Sequence, residues 1–586
     1  MLPKQFKPVT QVILIANLLF CHSVLGQNSV ESSSLLENYS SVTPSMLTEP
    51  SANDWLMWRR SYDVGGHTPL DQVDISNVEN LELAWSLPLG QGGNMTTPLV
   101  HDGVMFIADT GNMLRVLDAK SGAELWNYQH ESDNLDGRRI GISLHGDQVI
   151  VPHNDLTLVA LEVRTGEVKW MHKIQTPVDI ITGGGYYSLR SAPVIAGNTL
   201  MQGVGATMVP EGGFIVGIDL SNGQEKWRFH TVARPEDPVG GHTWNNLSLA
   251  ARSGGSVWIP GSYDAELDLA YFGTAPTYDT APLLPDLDSE GVSNAALYTN
   301  TTLAIRPESG ELIWHFQHMP NDQWDLDWVY ERHITTLEIN GEPRKVVFTA
   351  GKMALYDILD AATGKYINSI DTGVQNLVAD IDSVTGEKIL FPHATPNRET
   401  SHLVCPYALG GRNWQAASFD DSSNMLFLPL SEMCMMADPG EGGLLTTGVQ
   451  LSPQPRPDSD GNYGRLQAIN MNTLELAWTH RELTPPATPA LSTAGGLVFT
   501  GFLDQSFKAL NAETGAVLWQ DSIEHIPSSF PISYAVDDKQ YIAIIRGQPS
   551  RFTGSLYGII SGFLGENSAA IGVPSAEAAI LVYALP

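Results

Sequence analysis

The sequence predicts an all-β protein, an eight-bladed β-propeller with tryptophan-docking repeats. Three observations predict this fold: a phrase that recurs along the chain, the even spacing of its tryptophans, and an apolar strand at the C-terminus. The phrase is an apolar strand, an acidic or amide residue, a Ser/Thr/Asn-Gly turn and then Trp, as in residues 116–126. A turn of this kind joins two antiparallel strands, so each copy predicts a hairpin.

Eight units can be counted along the chain. In each copy that keeps its Trp, the acidic residue or its substitute lies eight positions earlier, as Asp118 does before Trp126. Trp85, Trp126 and Trp170 follow one another at intervals of 41 and 44 residues, a length that fits four short strands per blade. The tryptophans of the units are Trp85, Trp126, Trp170, Trp227, Trp314, Trp478 and Trp519, and the eighth unit, 358–366, ends in Tyr366 instead.

The last strand, 579–586, is expected to complete the first blade and close the ring. A closed ring leaves only short protected edges, so residues 27–586 are predicted to form one domain without an internal linker. No amphipathic helix of any length is expected in it.

Composition and charge exclude several classes of protein. The chain has 586 residues and a formal charge of −33, from 65 Asp+Glu against 32 Lys+Arg. Nucleic acids and anionic membrane surfaces both bind basic faces, so neither is an expected partner. With charged residues at 17% of the total, the composition is also not that of a charged disordered chain.

The N-terminus predicts export. Lys4 and Lys7 precede a short apolar run, and Gly26 stands where a small residue is needed for cleavage, so residues 1–26 are predicted to be a secretory signal; an N-terminal anchor is the alternative. We therefore expect a periplasmic or secreted protein without a stable membrane span. In an oxidising compartment Cys405 and Cys434 can form a disulfide; two free buried thiols are the alternative.

Three motifs point to one family. They are 254–264 (Gly-Gly-Ser-Val-Trp-Ile-Pro-Gly-Ser-Tyr-Asp), 320–327 (Pro-Asn-Asp-Gln-Trp-Asp-Leu-Asp) and 405–414 (Cys-Pro-Tyr-Ala-Leu-Gly-Gly-Arg-Asn-Trp). With the docking repeat, they resemble the quinoprotein alcohol dehydrogenases, eight-bladed propellers that hold pyrroloquinoline quinone (PQQ) on the central axis. The last motif is most similar to the branch that includes bacterial sorbose dehydrogenases.

The resemblance implies a set of cofactor contacts. PQQ is a flat quinone with three carboxylates, so its site needs an aromatic floor and cations or donors at the rim. Trp258 matches the family's stacking Trp, and Lys352 the cation at the quinone oxygens; a Trp buried between blades and solvated surface arginines are the alternatives. The other predicted contacts are Arg139, Arg190, Ser191, Ser256, Asn413 and Trp414.

Asp325 matches the family's catalytic aspartate, which takes the alcohol proton as hydride passes to the quinone. Asp327 would share its face if the segment is extended, and the pair is predicted to bind calcium or a lanthanide; a solvated acidic loop is the alternative. The chain departs from the family at two metal ligands. Met208 stands in place of a Glu, which Glu211 is placed to replace, and Pro276 stands in place of an Asn.

The resemblance therefore implies a periplasmic PQQ-dependent dehydrogenase that oxidises an alcohol or polyol. The sequence contains no Cys-x-x-Cys-His, the attachment motif for covalent haem, so electrons are expected to pass to a soluble cytochrome c or another external acceptor. Two alternatives stay open: a non-catalytic propeller scaffold, and a degenerate protein that binds PQQ weakly.

Overall fold

The structure, a computed structural model, describes residues 34–132, 139–178, 185–285, 289–397, 399–440, 449–574 and 577–586. The predicted secretory signal, 1–26, lies outside the described residues. The regular secondary structure of the described part is almost wholly β, which confirms the predicted all-β class. Its helices are α1 (Pro44–Thr48) and α2 (Arg551–Leu564), with short 3-10 turns at Val78–Asn80, Gly241–Thr243, Leu249–Ala251, Ala281–Leu283, Pro392–Ala394 and Gly565–Ile571.

The first half of the described chain contains nineteen strands. They are β1 (His67–Thr68), β2 (Glu82–Leu89), β3 (Leu99–His101), β4 (Val104–Asp109), β5 (Met113–Asp118), β6 (Glu124–Gln129), β7 (Ser143–His145), β8 (Gln148–Pro152), β9 (Thr157–Glu162), β10 (Val168–Lys173), β11 (Tyr186–Ser188), β12 (Val194–Ala196), β13 (Thr199–Thr207), β14 (Phe214–Asp219), β15 (Glu225–His230), β16 (Ser262–Asp264), β17 (Leu269–Gly273), β18 (Thr301–Ile305) and β19 (Leu312–Gln317).

The second half contains the other twenty. They are β20 (His333–Ile339), β21 (Glu342–Ala350), β22 (Leu355–Asp360), β23 (Tyr366–Asp371), β24 (Val378–Ile381), β25 (Lys388–Leu390), β26 (His402–Val404), β27 (Ser418–Asp420), β28 (Met425–Ser431), β29 (Met433–Pro439), β30 (Val449–Pro455), β31 (Gly464–Asn470), β32 (Glu475–Glu482), β33 (Leu491–Thr493), β34 (Leu497–Gly501), β35 (Ser506–Asn511), β36 (Val517–Ser522), β37 (Ile532–Val536), β38 (Lys539–Arg546) and β39 (Ala578–Ala584).

Within the described residues, eight sheets share one antiparallel plan of four strands. Seven take their four strands in chain order; the eighth joins β37, β38 and β39 to β2 from the other end of the chain, as expected for the terminal strand. The seven are β3–β6, β7–β10, β12–β15, β16–β19, β20–β23, β27-β28-β31-β32 and β33–β36. β11 and β1 extend two of them, while β24–β25 and β26-β29-β30 form two smaller sheets.

Burial differs along each sheet. The second strand of a sheet, such as β4, is buried along its whole length, whereas the fourth, such as β6, alternates between exposed and half-buried side chains. A strand buried on both faces must be covered by neighbouring sheets on each side, so the cores of the molecule lie between consecutive sheets.

The tryptophans of the repeat join one sheet to the next. Each indole N–H donates, at 2.8–3.2 Å, to a backbone carbonyl just before the fourth strand of the following sheet. The pairs are Trp85 to Ala119, Trp126 to Val163, Trp170 to Leu220, Trp227 to Pro307, Trp314 to Ala361, Trp478 to Ala512 and Trp519 to Leu81. The last pair leads back to the sheet that contains β2.

The turn glycine lies beneath the indole ring of the preceding sheet. A Cβ on Gly364, which has φ +69, would stand 2.4 Å from Cε3 of Trp314. This is well inside van der Waals contact, so a larger residue does not fit here. Tyr366 makes the same contact with Gly386 in the β24–β25 hairpin. Residues 382–386 are therefore a further copy of the turn phrase that the count of eight units missed.

The expectation of no helix is wrong at one place. α2, between β38 and β39, begins with the Ser550 hydroxyl accepting the N–H of Thr553 and buries Leu556 and Ile560. In the part of the chain that the structure covers, no helix has the length and apolarity to cross a bilayer.

Candidate functional site

The predicted acidic segment is an irregular loop whose shape Asp322 determines. Its carboxylate accepts the backbone N–H of Trp324 at 2.8 Å and that of Leu326 at 2.6 Å, and the Asn300 amide donates to it at 3.2 Å. Asp325, between these bonds, has φ +61, a left-handed conformation that Asp adopts more readily than most residues. The segment is therefore not extended, and Asp325 and Asp327 approach one another through this loop instead.

Asp325 and Asp327 meet at the ammonium of Lys352. Lys352 Nζ lies 3.0 Å from Asp325 Oδ2 and 2.8 Å from Asp327 Oδ1, and it donates to the Asp325 carbonyl at 2.6 Å. The ammonium donates hydrogen bonds to the carbonyl oxygen and to Oδ2 of Asp325, whereas its contact with Asp327 Oδ1 is an ion pair without hydrogen-bond geometry. Asp325 Oδ1 is buried and has no hydrogen-bond partner among the described residues.

Lys352 is held by the backbone on both sides. Its N–H donates to the Asp327 carbonyl at 2.9 Å, and its own carbonyl accepts the N–H of Gly411 at 2.8 Å. The stretch that carries Gly411 begins at Cys405, whose disulfide with Cys434 is formed, with the Cα atoms 4.2 Å apart. The disulfide predicted from the sequence therefore anchors the loop that fixes the lysine.

Electrostatics in this group follow from burial. Burial raises the pKa of Asp325 well above its ordinary value, and the Lys352 ammonium opposes that rise. Burial alone would lower the pKa of Lys352, but the two carboxylates outweigh it and raise that pKa. The lysine therefore stays protonated, and it favours the charged form of its acidic neighbours.

Trp258 completes the group. Its indole N–H donates to Asp327 Oδ2 at 3.0 Å, and its half-buried ring meets Tyr330 edge-on with centroids 5.6 Å apart. The chain reaches Trp258 through Gly254, where a Cβ would stand 2.4 Å from the Pro276 carbonyl. This close passage of two backbone segments explains the Gly-Gly of the motif.

Arg190 and Ser256 both affect the titration of Tyr278. Burial raises the pKa of Tyr278 well above its ordinary value; Asp327 and Asp325 raise it further, whereas a hydrogen bond with Ser256 and the charge of Arg190 lower it. Tyr278 is thus within electrostatic reach of both carboxylates. It was not predicted from the sequence, since it lies in no motif.

Three other predicted residues, Ser191, Asn413 and Trp414, contact protein groups. Ser191 Oγ donates to the Gly203 carbonyl at 3.2 Å. Asn413 donates to the Leu409 carbonyl at 3.0 Å and accepts the N–H of Trp414 at 2.8 Å. Trp414 is buried against Phe530, with ring centroids 5.6 Å apart.

Arg139 is buried within another cluster of polar groups. Its guanidinium donates to the Asp109 carbonyl at 2.7 Å and to Asn112 Oδ1 at 3.1 Å, and lies 3.3 Å from His153 Nδ1. Ile140, the next residue, donates its N–H to the Arg190 carbonyl at 2.7 Å, so the two predicted arginines lie on paired backbone segments.

The residues fit PQQ better than they fit a metal ion. Trp258, Lys352 and Arg190 are of the residue types, an aromatic ring and cations, that a flat tricarboxylate requires. Met208 is exposed, and Glu211 lies 3.3 Å from Arg234 in an ion pair rather than beside Asp325. Among the described residues no group of three or more His, Cys, Asp or Glu side chains is arranged to hold a metal.

A second buried ion pair lies behind this group. Arg412 lies within bonding distance of both Glu331 carboxylate oxygens, and the nearer ion-pair contact is with Oε1. The same guanidinium lies 4.9 Å from the centroid of the Tyr330 ring. Tyr330 contacts Trp258, so this ion pair supports the wall of the site.

Comparison with known proteins identifies similar chains. Residues 55–390 and 440–542 match the family model described as "PQQ: Glucose/ethanol/alcohol dehydrogenase, beta-propeller domain". Quinohemoprotein alcohol dehydrogenase ADH IIB of Pseudomonas putida is 30% identical over 524 residues, which cover 85% of this chain and 74% of that protein.

Two solved structures are similar over most of their length. Quinohemoprotein alcohol dehydrogenase ADHIIG from Pseudomonas putida matches with a TM-score of 0.81 and 26% identity, over 93% of this chain and 82% of its own. A europium-containing methanol dehydrogenase matches with a TM-score of 0.80 and 23% identity, over 91% and 98%; at that identity the likeness shows the fold. The similarity to the sorbose branch stays a prediction.

Proposed function

Because the chain belongs to the family of PQQ-dependent glucose, ethanol and alcohol dehydrogenase β-propellers, we propose that it is a periplasmic dehydrogenase that oxidises an alcohol or polyol, with Asp325 as the base. One observation carries the proposal. Asp325 offers one buried carboxylate oxygen that no described group occupies, while Lys352 holds the other at 3.0 Å.

The fold we propose is a closed ring of eight blades spanning residues 27–586. Its support is the eight four-stranded sheets within the described residues, the seven indole bonds that lead from sheet to sheet, and the pairing of β2 with β39. Such a ring brings loops from several sheets to one axis, and the residues around Lys352 come from three separate regions of the chain.

PQQ supplies a two-electron acceptor when it is bound. Trp258 would support its ring plane, Lys352 would lie against its oxygens, and Arg190 would pair with a carboxylate. Ser256, Ser191, Arg139, Asn413 and Trp414 stay predicted contacts; their present bonds to protein groups favour a role in shaping the rim. The Asp325–Asp327 pair likewise stays the predicted place for a calcium or lanthanide ion, which its nitrogen-rich surroundings do not favour.

The residues of the chain divide the chemistry between them. Oxidation of an alcohol to a carbonyl requires removal of a hydride, which bound PQQ would accept, and of a proton, which Asp325 would accept at Oδ1. A general base must reach that proton in its ionised form, and the adjacent Lys352 ammonium stabilises the carboxylate for this task. The same ammonium stabilises negative charge that develops next to it, and burial of the group strengthens both effects.

Electrons must then leave the protein. We propose a soluble cytochrome c or another external acceptor as the partner, since the sequence has no Cys-x-x-Cys-His. The formal charge of −33 favours a basic carrier, because complementary charge accelerates encounter. No nucleic acid fits so acidic a chain.

Reconstitution tests the proposal. The purified protein is titrated with PQQ, and dye reduction is followed with primary alcohols, secondary alcohols and polyols. We expect saturable quinone binding and alcohol-dependent dye reduction. A protein that binds no PQQ would be a scaffold of the same repeat, and one that binds PQQ without oxidising any alcohol would be a degenerate member; either result overturns the proposal.

A further inference from the structure

The carboxylate oxygens of the acidic segment are already occupied by nitrogen donors. Asp322 accepts backbone N–H groups at both oxygens, from Trp324 and Leu326. Asp327 accepts the indole N–H of Trp258 at Oδ2, and its Oδ1 lies 2.8 Å from Lys352 Nζ in an ion pair without hydrogen-bond geometry. Asp325 Oδ2 accepts a hydrogen bond from Lys352. Four of the six oxygens thus accept an N–H group, the fifth is ion-paired, and the sixth is the one assigned to the substrate proton.

A hard divalent or trivalent cation needs a different environment. Calcium takes six to eight oxygen ligands, and each N–H donor turned toward an oxygen removes that oxygen from its reach. The Lys352 ammonium lies between the two carboxylates, at 3.0 and 2.8 Å, and its charge repels a second cation there. Lys352 is also held in place by its backbone, which forms hydrogen bonds with the backbones of Asp327 and Gly411.

Other acidic groups do not complete a shell. Glu211, three residues after Met208, forms an ion pair with Arg234 at 3.3 Å. Its backbone N–H donates a hydrogen bond to the Arg252 carbonyl. Pro276 offers only a backbone carbonyl, which accepts the N–H of Gly255 at 3.3 Å. Within the described ranges, then, the positions at which a family metal ligand is expected contribute no further carboxylate.

From this donor set we infer that the protein binds PQQ and oxidises its substrate without a calcium or lanthanide ion, because the ammonium of Lys352 is the cation that Asp325 and Asp327 share. The inference rests on the proposed PQQ-dependent function. It assigns Lys352 two roles in one place: contact with the cofactor, and the charge that a metal would otherwise supply.

Metal content and cofactor binding are measured first, on wild-type protein. After dialysis against EDTA, metal is quantified by inductively coupled plasma mass spectrometry, and PQQ is titrated by quenching of tryptophan fluorescence with no metal, with Ca²⁺ and with La³⁺. We expect no stoichiometric metal and a PQQ affinity that changes less than about 3-fold between the three conditions, a difference below 1 kcal/mol. Binding of PQQ only when Ca²⁺ or La³⁺ is added would overturn the inference while leaving the proposed function intact; no binding in any condition would overturn both.

Terbium luminescence then tests Lys352 directly. Wild-type protein should show little Tb³⁺ emission excited through tryptophan. Lys352→Ala frees Asp325 Oδ2 and Asp327 Oδ1 from the ammonium, beside the Trp258 indole that bonds the other Asp327 oxygen, and this variant should bind Tb³⁺ at least ~10-fold more tightly. The matched control is Lys345→Ala, which removes a lysine that also bridges two acids, Asp264 at 3.0 Å and Glu266 at 2.6 Å.

The control should leave the Tb³⁺ signal near Trp258 unchanged. In a Lys352→Ala/Asp327→Asn double variant the gained signal should fall back toward that of wild type. Strong tryptophan-sensitised Tb³⁺ binding by the wild-type protein, competed by Ca²⁺ and lost in Asp327→Asn, would show that a metal site coexists with Lys352 and would refute the inference.

Discussion

The contact between Trp314 and Gly364 predicts a large cost for one added methyl group. A Cβ at position 364 would stand 2.4 Å from the indole, on a backbone with φ +69. The left-handed conformation costs Ala about 1–2 kcal/mol relative to Gly, and overpacking a closed contact costs a further 1–3 kcal/mol or so. We therefore expect Gly364→Ala to lower the free energy of unfolding by roughly 2–5 kcal/mol.

Gly373 is the matched control, because it also has a left-handed φ, +77, but nothing lies within 4 Å of its added Cβ. Gly373→Ala should cost only the conformational part, about 1–2 kcal/mol. Urea unfolding followed by tryptophan fluorescence measures both variants. In a Trp314→Leu background the cost of Gly364→Ala should shrink toward that of the control, a coupling of about 0.5–3 kcal/mol. Equal losses in the two glycine variants would refute the account of how the sheets dock.

The remaining predictions concern the supports of the site. Glu331→Gln leaves Arg412 buried without its charge partner and should lower the free energy of unfolding by about 3–5 kcal/mol. Burial alone would raise the pKa of Glu331, but Arg412 holds that pKa below its usual range. The free energy of unfolding of the wild type should therefore fall as pH drops below about 4.3. Urea midpoints measured against pH should show this fall in the wild type and lack the contribution of Glu331 in Glu331→Gln. Replacing both Cys405 and Cys434 with Ser should destabilise by about 3–4 kcal/mol, and an unchanged melting temperature would contradict that expectation. Trp258→Leu should weaken PQQ binding by ~10-fold or more in a fluorescence titration, whereas Trp258→Phe, which keeps an aromatic face, should bind PQQ more tightly than the Leu variant.

Much of the fold could be predicted because the repeat carries its own geometry. The acid, the turn glycine and the Trp lie at fixed distances along the sequence. The same spacing therefore produces the same contact between an indole and a turn in each sheet. The repeat did not reveal the partner of Tyr366. This partner, Gly386, belongs to a hairpin inserted before the next large sheet. The helix α2 was not predicted at all, because Gly554, Gly558 and Gly562 lower its helix propensity. Packing of its buried face outweighs this loss of propensity.

The site was predictable to the extent that motifs describe it. Trp258, Asp325 and Asp327 lie in two of the quoted motifs, and Lys352 was predicted from the family resemblance. The structure brings the four together. Their hydrogen bonds were not predictable, because sequence spacing does not reveal that one ammonium bridges both carboxylates.

The contacts that hold the acidic loop in shape could not be predicted from the sequence pattern. The capping role of Asp322 and its bond with Asn300 depend on a loop conformation that only the fold determines. Tyr278 approaches the site from an irregular segment outside every repeat, so composition and periodicity gave no indication of it.

The most direct test of the central claim is the turnover of Asp325→Asn. Asn is isosteric with Asp but cannot accept the alcohol proton, so PQQ binding should be retained while kcat for alcohol-dependent dye reduction falls by ~10²–10⁴-fold. Asp322→Asn is the comparison: its two backbone bonds shape the loop, so that variant should lose stability as well as activity. A folded Asp325→Asn protein that binds PQQ and turns over within a few-fold of the wild-type rate would contradict the account.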